Sequence, residues 1–117
     1  MKIGLKFWHS LEYSRNWIAK TFFNPYDVEP YGFAPVQADG ILPDGSWYYF
    51  RARGHSWIFE TASSEIEWMR GETTFFFRQD YGCGDHFDAS SMPHYHVIKF
   101  TNQAIKLYET SKSANRR

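Results

Sequence analysis

Two groups of residues in this chain are of types that could do chemistry. The first is Cys83, His86, His94 and His96, four zinc-competent side chains within a short stretch. Cys-x-x-His is a usable half of a metal site, and His-x-His on a strand sends both rings to one side. On a helix, His94 and His96 would instead lie about 200° apart. Asp85 and Asp88 could add ligands or a base, but no His-Glu-x-x-His or comparable motif accompanies them. The simpler reading is a polar loop whose histidines cap or hydrogen-bond. Cys83 and His86 are also the only close nucleophile–base pair, and no third group to orient the histidine is identifiable. The residue types therefore do not predict an enzyme, and zinc is carried only as a candidate cofactor.

The second group is Trp47, Tyr49, Arg51 and Arg53, with Asp39 and Glu60. Arginine supplies a planar fork for carboxylate or phosphate, and aromatic rings supply stacking. Aromatics beside arginine are also the composition of protein interface hot spots. The plainer alternative is a cross-strand ladder with Arg51 between two carboxylates, each pair worth little if exposed. The expectation is a small non-enzymatic regulatory or inhibitor protein whose partner is another protein. A short stand-alone chain of this kind fits a phage or mobile-element origin. The alternatives are a nucleotide-like ligand held by Arg51, Arg53 and Tyr49, or zinc at Cys83, His86, His94 and His96.

Composition narrows the classes further. Formal charge is zero, with 13 basic and 13 acidic residues, which argues against nonspecific nucleic-acid binding by phosphate neutralisation. The single cysteine excludes an internal disulfide and fits a reducing compartment. No apolar run suits a signal peptide or a membrane span, so no membrane association and a cytoplasmic location are expected. At 117 residues the chain reads as one domain spanning 1–117. Scaling laws give roughly 6,700 Å² folded against about 20,000 Å² unfolded. The 24 aromatics (11 Phe, 8 Tyr, 5 Trp) need about 4,800 Å² of that difference at roughly 200 Å² each. Area alone forces none of them outside.

The element that must position the second group is the stretch from Phe33 to Ala62. Three aromatic-rich runs separated by turns at Pro43–Ser46 and Gly54-His55 predict a three-stranded antiparallel meander. A two-residue loop at Gly54-His55, with Gly supplying positive φ for a type II′ turn, sets Arg53 opposite Ser56. Tyr48, Phe50 and Ala52 then share a core face with Trp57, Phe59 and Thr61. For the first hairpin, a two-residue Asp44-Gly45 turn would set Asp39 on that core face. Burial decides for a register slipped by one, with Val36, Ala38, Gly40 and Leu42 inward and Asp39 opposite Arg51.

Residues 1–8 alternate loosely, as in a short strand. Leu11, Ser14, Trp17, Ile18 and Phe22 predict a helix over 11–23, with Ser10 as N-cap, Glu12 near its positive end and Asn24-Pro25 as its stop. Residues 24–35 read as an extended connection pinned by its aromatics. Residues 65–70 fit a helical turn or a strand. Glu72–Gln79 is a fourth strand by composition, and Asp80–Ser91 is a polar loop. From Pro93, the spacing of Val97, Ile98, Thr101, Ala104, Ile105 and Tyr108 favours a C-terminal helix capped by Ser90 or Ser91, over a strand at Tyr95–Phe100. The expected fold class is α+β: a small antiparallel sheet, the meander plus a fourth strand, with an N-terminal and a C-terminal helix packed on it.

Overall fold

The turn at Gly54-His55 forms as its chemistry dictates. Gly54 takes φ 65° while His55 stays out of the positive region, and Arg53 pairs with Ser56. Strand β2 (Trp47–Arg53) and strand β3 (Ser56–Ala62) thus meet in the expected register. The computed structural model describes the backbone of residues 3–82 and 89–115 and the side chains of 13–82 and 89–114. Strand β1 (Val36–Ile41) and strand β4 (Phe75–Asp80) flank the pair in a four-stranded antiparallel sheet of order β1-β2-β3-β4. Helix α1 (Ile3–Phe22) precedes the sheet, short helix α2 (Glu65–Met69) joins β3 to β4, and helix α3 (His94–Asn115) follows. The fold is α+β.

The first hairpin has the expected faces by a different pairing. Val36, Ala38 and Leu42 are buried, but Asp39 lies opposite Tyr49 and Gln37 opposite Arg51. The expectation that Asp39 faces Arg51 is therefore corrected. Leu42 N–H donates to Ser46 O at 2.8 Å, closing a three-residue loop in which Gly45 adopts φ 87°. A type I turn followed by a left-handed glycine is the usual three-residue solution. Gly40 lies against the Tyr48 ring, where a Cβ would come within 3.0 Å.

The core sits between the sheet's inner face and α3. Tyr48, Phe50, Ala52, Trp57, Phe59 and Thr61 are all buried, as are Val97, Ile98, Thr101, Ala104, Ile105 and Tyr108 of α3. Trp57 stacks on Phe100 with centroids 5.3 Å apart, and Phe75 meets Tyr108 edge-on at 5.5 Å. Helical periodicity wins over strand propensity at 94–100 because this stripe buries a whole face.

Three further expectations change. Residues 3–8 belong to α1, not to a strand, since Ile3, Phe7 and Leu11 continue the helical spacing upstream; Ser10 is therefore interior and not a cap. Strand β4 starts at Phe75 instead of Glu72. Ser90 does not cap α3: its hydroxyl accepts from Gly54 N–H at 2.9 Å and ties the second hairpin's tip to the chain before α3. The 24–35 connection is pinned by Tyr26, whose hydroxyl donates to Glu109 at 2.6 Å, and by a backbone bridge between Tyr31 and Gln37. Phe33 is 85% exposed and pins nothing. Among the described residues, no helix is long and apolar enough to cross a membrane.

Candidate functional site

Period-2 alternation puts every second residue of the four strands on the outer face, away from α3. The pairings arrange them in rows: Ile41, Trp47, Ala62; then Asp39, Tyr49, Glu60, Phe76; then Gln37, Arg51, Ile58, Arg78; then Arg53, Ser56, Asp80. All six residues of the predicted binding group therefore share this face, but they divide into two zones.

The first zone is closed by the chain itself. Ser64 accepts from Glu67 N–H and starts α2, which folds back so that Trp68 lies on Tyr49 at 4.6 Å and near Trp47 at 6.5 Å. The Trp68 indole N–H points to Glu60 Oε1 at 3.4 Å. Trp47 Nε1 is buried without a partner among the described residues. Asp39 accepts from the Tyr31 hydroxyl at 2.5 Å, and Tyr49 donates to Gln37 Oε1 at 2.6 Å. Burial first, and then the Asp39 carboxylate, push the Tyr31 phenol far above its ordinary range. Burial also raises Tyr49, with Arg51 opposing. Both phenols stay neutral donors at physiological pH.

The second zone is open. Arg51 is half-buried, Arg53 and Arg78 are exposed, and Phe76 is 56% exposed. The two carboxylates expected to bracket Arg51 are engaged by Tyr31 and Trp68 instead. Among the described residues the ion pairs are Lys20–Glu29, Arg70–Glu67 and Lys112–Asp44, so none of the three arginines has a carboxylate partner. Arg78 Nε donates to Ser56 Oγ at 3.3 Å. Arg51 and Arg78 are two strands apart, about 9–10 Å, with Ile58 between them. Asp80 ends the last row at the sheet's corner. Chemically this is a surface that can receive two or three carboxylates beside an apolar contact.

Trp68, Tyr31, Phe76 and Arg78 escape a reading of the meander alone. Phe76 and Arg78 could have been found by extending alternation into the fourth strand. Trp68 and Tyr31 reach the face through long-range folding that no local pattern signals.

The candidate metal group divides differently. Cys83 and His86 lie outside the described residues, as do Asp85 and Asp88. His94 and His96 fall in the first turn of α3, and His96 Nδ1 is hydrogen-bonded to the Tyr81 hydroxyl at 2.7 Å. Burial, with Lys99 and Arg15 nearby, lowers the His96 pKa and favours the neutral ring. Among the described residues, no three His, Cys, Asp or Glu side chains are grouped to hold a metal. Compared with family models, curated proteins and solved structures, the chain matches none.

Proposed function

We propose that this chain is a small non-enzymatic binding module that docks an acidic and apolar patch of another protein on its outer sheet face. The observation that carries this reading is the cluster of Arg51, Arg53 and Arg78 without carboxylate partners among the described residues, beside exposed Phe76. A partner's carboxylates would meet these guanidinium groups in bidentate, charge-assisted contacts, and Phe76 would supply the apolar anchor typical of hot spots. A nucleotide-sized ligand needs a concave site that buries most of its surface, whereas these arginines lie on an open pleated face.

The test is the triple substitution Arg51→Ala, Arg53→Ala, Arg78→Ala. Urea melts should show a change of about 0–1 kcal/mol per position, as for exposed charges. Cross-linked pull-downs should lose the partner that the unmodified protein retains. A loss of about 3–5 kcal/mol at Arg51 alone would mark a buried structural charge and end the proposal.

A further inference from the structure

We infer that the partner engages this face by adding an antiparallel strand to the free edge of β4. This rests on the sheet-face reading above and specifies its geometry. Strand β4 is terminal in the sheet order. Tyr81 N–H donates to His55 O at 2.6 Å, which fixes the phase of the β3–β4 ladder. Bonded pairs alternate in an antiparallel ladder, so Phe75, Phe77 and Gln79 turn their backbone groups toward β3. Phe76, Arg78 and Asp80 turn theirs outward, and no backbone partner meets them among the described residues.

An edge of this kind invites pairing. Natural edges are blunted by proline, charged side chains (lysine above all), bulges or very short strands. The two charges on this edge, Arg78 and Asp80, are of opposite sign and so admit a strand of complementary charge. The sequence Phe-Phe-Phe-Arg-Gln-Asp holds no proline or lysine, pairs without interruption, and is rich in strand-forming aromatics. The residues with outward backbone groups also carry the outer-face side chains. An added strand would therefore form hydrogen bonds and read Phe76, Arg78 and Asp80 with the same alternate positions.

The order of those side chains sets the occupant. Running antiparallel, the incoming segment presents a basic residue opposite Asp80, an acidic one opposite Arg78, and an apolar one opposite Phe76. Arg51, two strands inward in the row of Arg78, adds to the field that favours the acidic residue. A second copy of β4 fits less well, because joining the outward-turned groups of Phe76, Arg78 and Asp80 to their own copies sets Arg78 against Arg78, and like charges directly opposite are destabilising.

The experiment is amide hydrogen exchange by NMR on the full ¹⁵N-labelled chain. Two end-blocked peptides serve as probes: Thr-Lys-Thr-Glu-Thr-Val-Thr and the charge-exchanged Thr-Glu-Thr-Lys-Thr-Val-Thr. In the free protein, the amides of Phe76, Arg78 and Asp80 should exchange at least about tenfold faster than those of Phe77 and Gln79. The first peptide at about 5 mM should slow them about sixfold if Kd is near 1 mM, and the second should slow them less. Equal protection of all five amides in the free protein would overturn the inference, because the edge is then already paired. No slowing by the first peptide would overturn it too. Should that peptide shift the Arg51 and Arg78 side-chain Nε–H signals without slowing the amides, strand addition fails and the sheet-face reading stands. Slowing that is unchanged in the triple arginine variant sinks the sheet-face reading while edge pairing survives.

Discussion

Trp57 lies at the centre of the core and carries an internal conflict that mutation should expose. Its ring is 2% exposed and packs against Phe50 at 5.4 Å, Phe77 at 5.5 Å and Phe100 at 5.3 Å. Its indole Nε1 is buried with no hydrogen-bond partner among the described residues. Trp57→Ala removes the packing and leaves a cavity, which should cost about 3–5 kcal/mol. Trp57→Phe is different. It loses roughly 30–40 Å² of aromatic surface, about 1 kcal/mol at ~25 cal/mol/Å², and the small cavity left behind costs about another 1 kcal/mol. It also removes a buried, unpaired donor whose desolvation costs about 1–3 kcal/mol. Losses and gain nearly cancel, so Trp57→Phe should lie within about 1 kcal/mol of the unmodified protein. Urea unfolding followed by far-ultraviolet circular dichroism measures both variants without relying on the altered fluorophore. A loss above about 2.5 kcal/mol for Trp57→Phe would refute the reasoning and imply that the indole N–H is satisfied. An unchanged midpoint for Trp57→Ala would refute the packing itself.

Two further substitutions probe the first hairpin and its tie to α3. Asp44 accepts from Ser46 N–H at 2.9 Å and the Tyr108 hydroxyl at 2.8 Å, and pairs with Lys112. Burial alone would raise its pKa, but Lys112 and these donors win and hold the carboxyl well below the usual range. A depressed folded pKa stabilises above the unfolded value of about 3.9, and that contribution disappears as pH falls through the folded value. Asp44→Asn should therefore flatten the acid limb of stability below about pH 4, as read from thermal melts across pH; an unaltered limb would contradict the network. Gly45→Ala should cost about 1–2 kcal/mol, because φ 87° strains any Cβ although open space surrounds it; a neutral melt would argue against this loop.

The fold was legible where one periodicity dominated, as in α3, whose six expected apolar residues are all buried. It was also legible where a turn fixed its own register, as at Gly54-His55. The first hairpin shows what alternation cannot decide. Slipping the Asp44-Gly45 register one residue either way inverts the faces equally, so burial selects the parity and not the direction. The three-residue loop with Gly45 left-handed decides it, pairing Asp39 with Tyr49. At the amino end, Ile3, Leu5 and Phe7 fit period two, while Ile3, Phe7 and Leu11 fit the helix that forms. For the candidate site, alternation placed all six residues on one face. It could not show that Trp68 and Tyr31 would claim Glu60 and Asp39, because those contacts depend on α2 and the 24–35 connection folding back.

Why the basic zone stays open follows from the dimensions of the elements. Helix α3 occupies the inner face, and α1 packs against α3 through Asn16, which accepts from Tyr95 N–H at 2.8 Å, and Arg15, which donates to the Tyr95 hydroxyl. Among the described helices, α2 is the one that lies over the outer face, through Trp68 on Tyr49 and Trp47. Its five residues span about 7–8 Å at 1.5 Å each, whereas a seven-residue strand such as β2 spans about 23 Å. It can cover the end holding Trp47 and Tyr49, where Trp68 completes a small apolar layer, and cannot reach Arg53. The charges divide along the same line. Under α2 and beside Tyr31, the carboxylates of Glu60 and Asp39 receive donors from the chain itself. Beyond α2, the guanidinium groups meet no carboxylate among the described residues, and the exposed Arg53 and Arg78 face water, which tolerates them at little cost. A partner that displaced that water would have to bring its own carboxylates, since an unpaired buried guanidinium costs several kcal/mol. On the proposed reading, the open zone would thus discriminate against partners that bring no acidic groups.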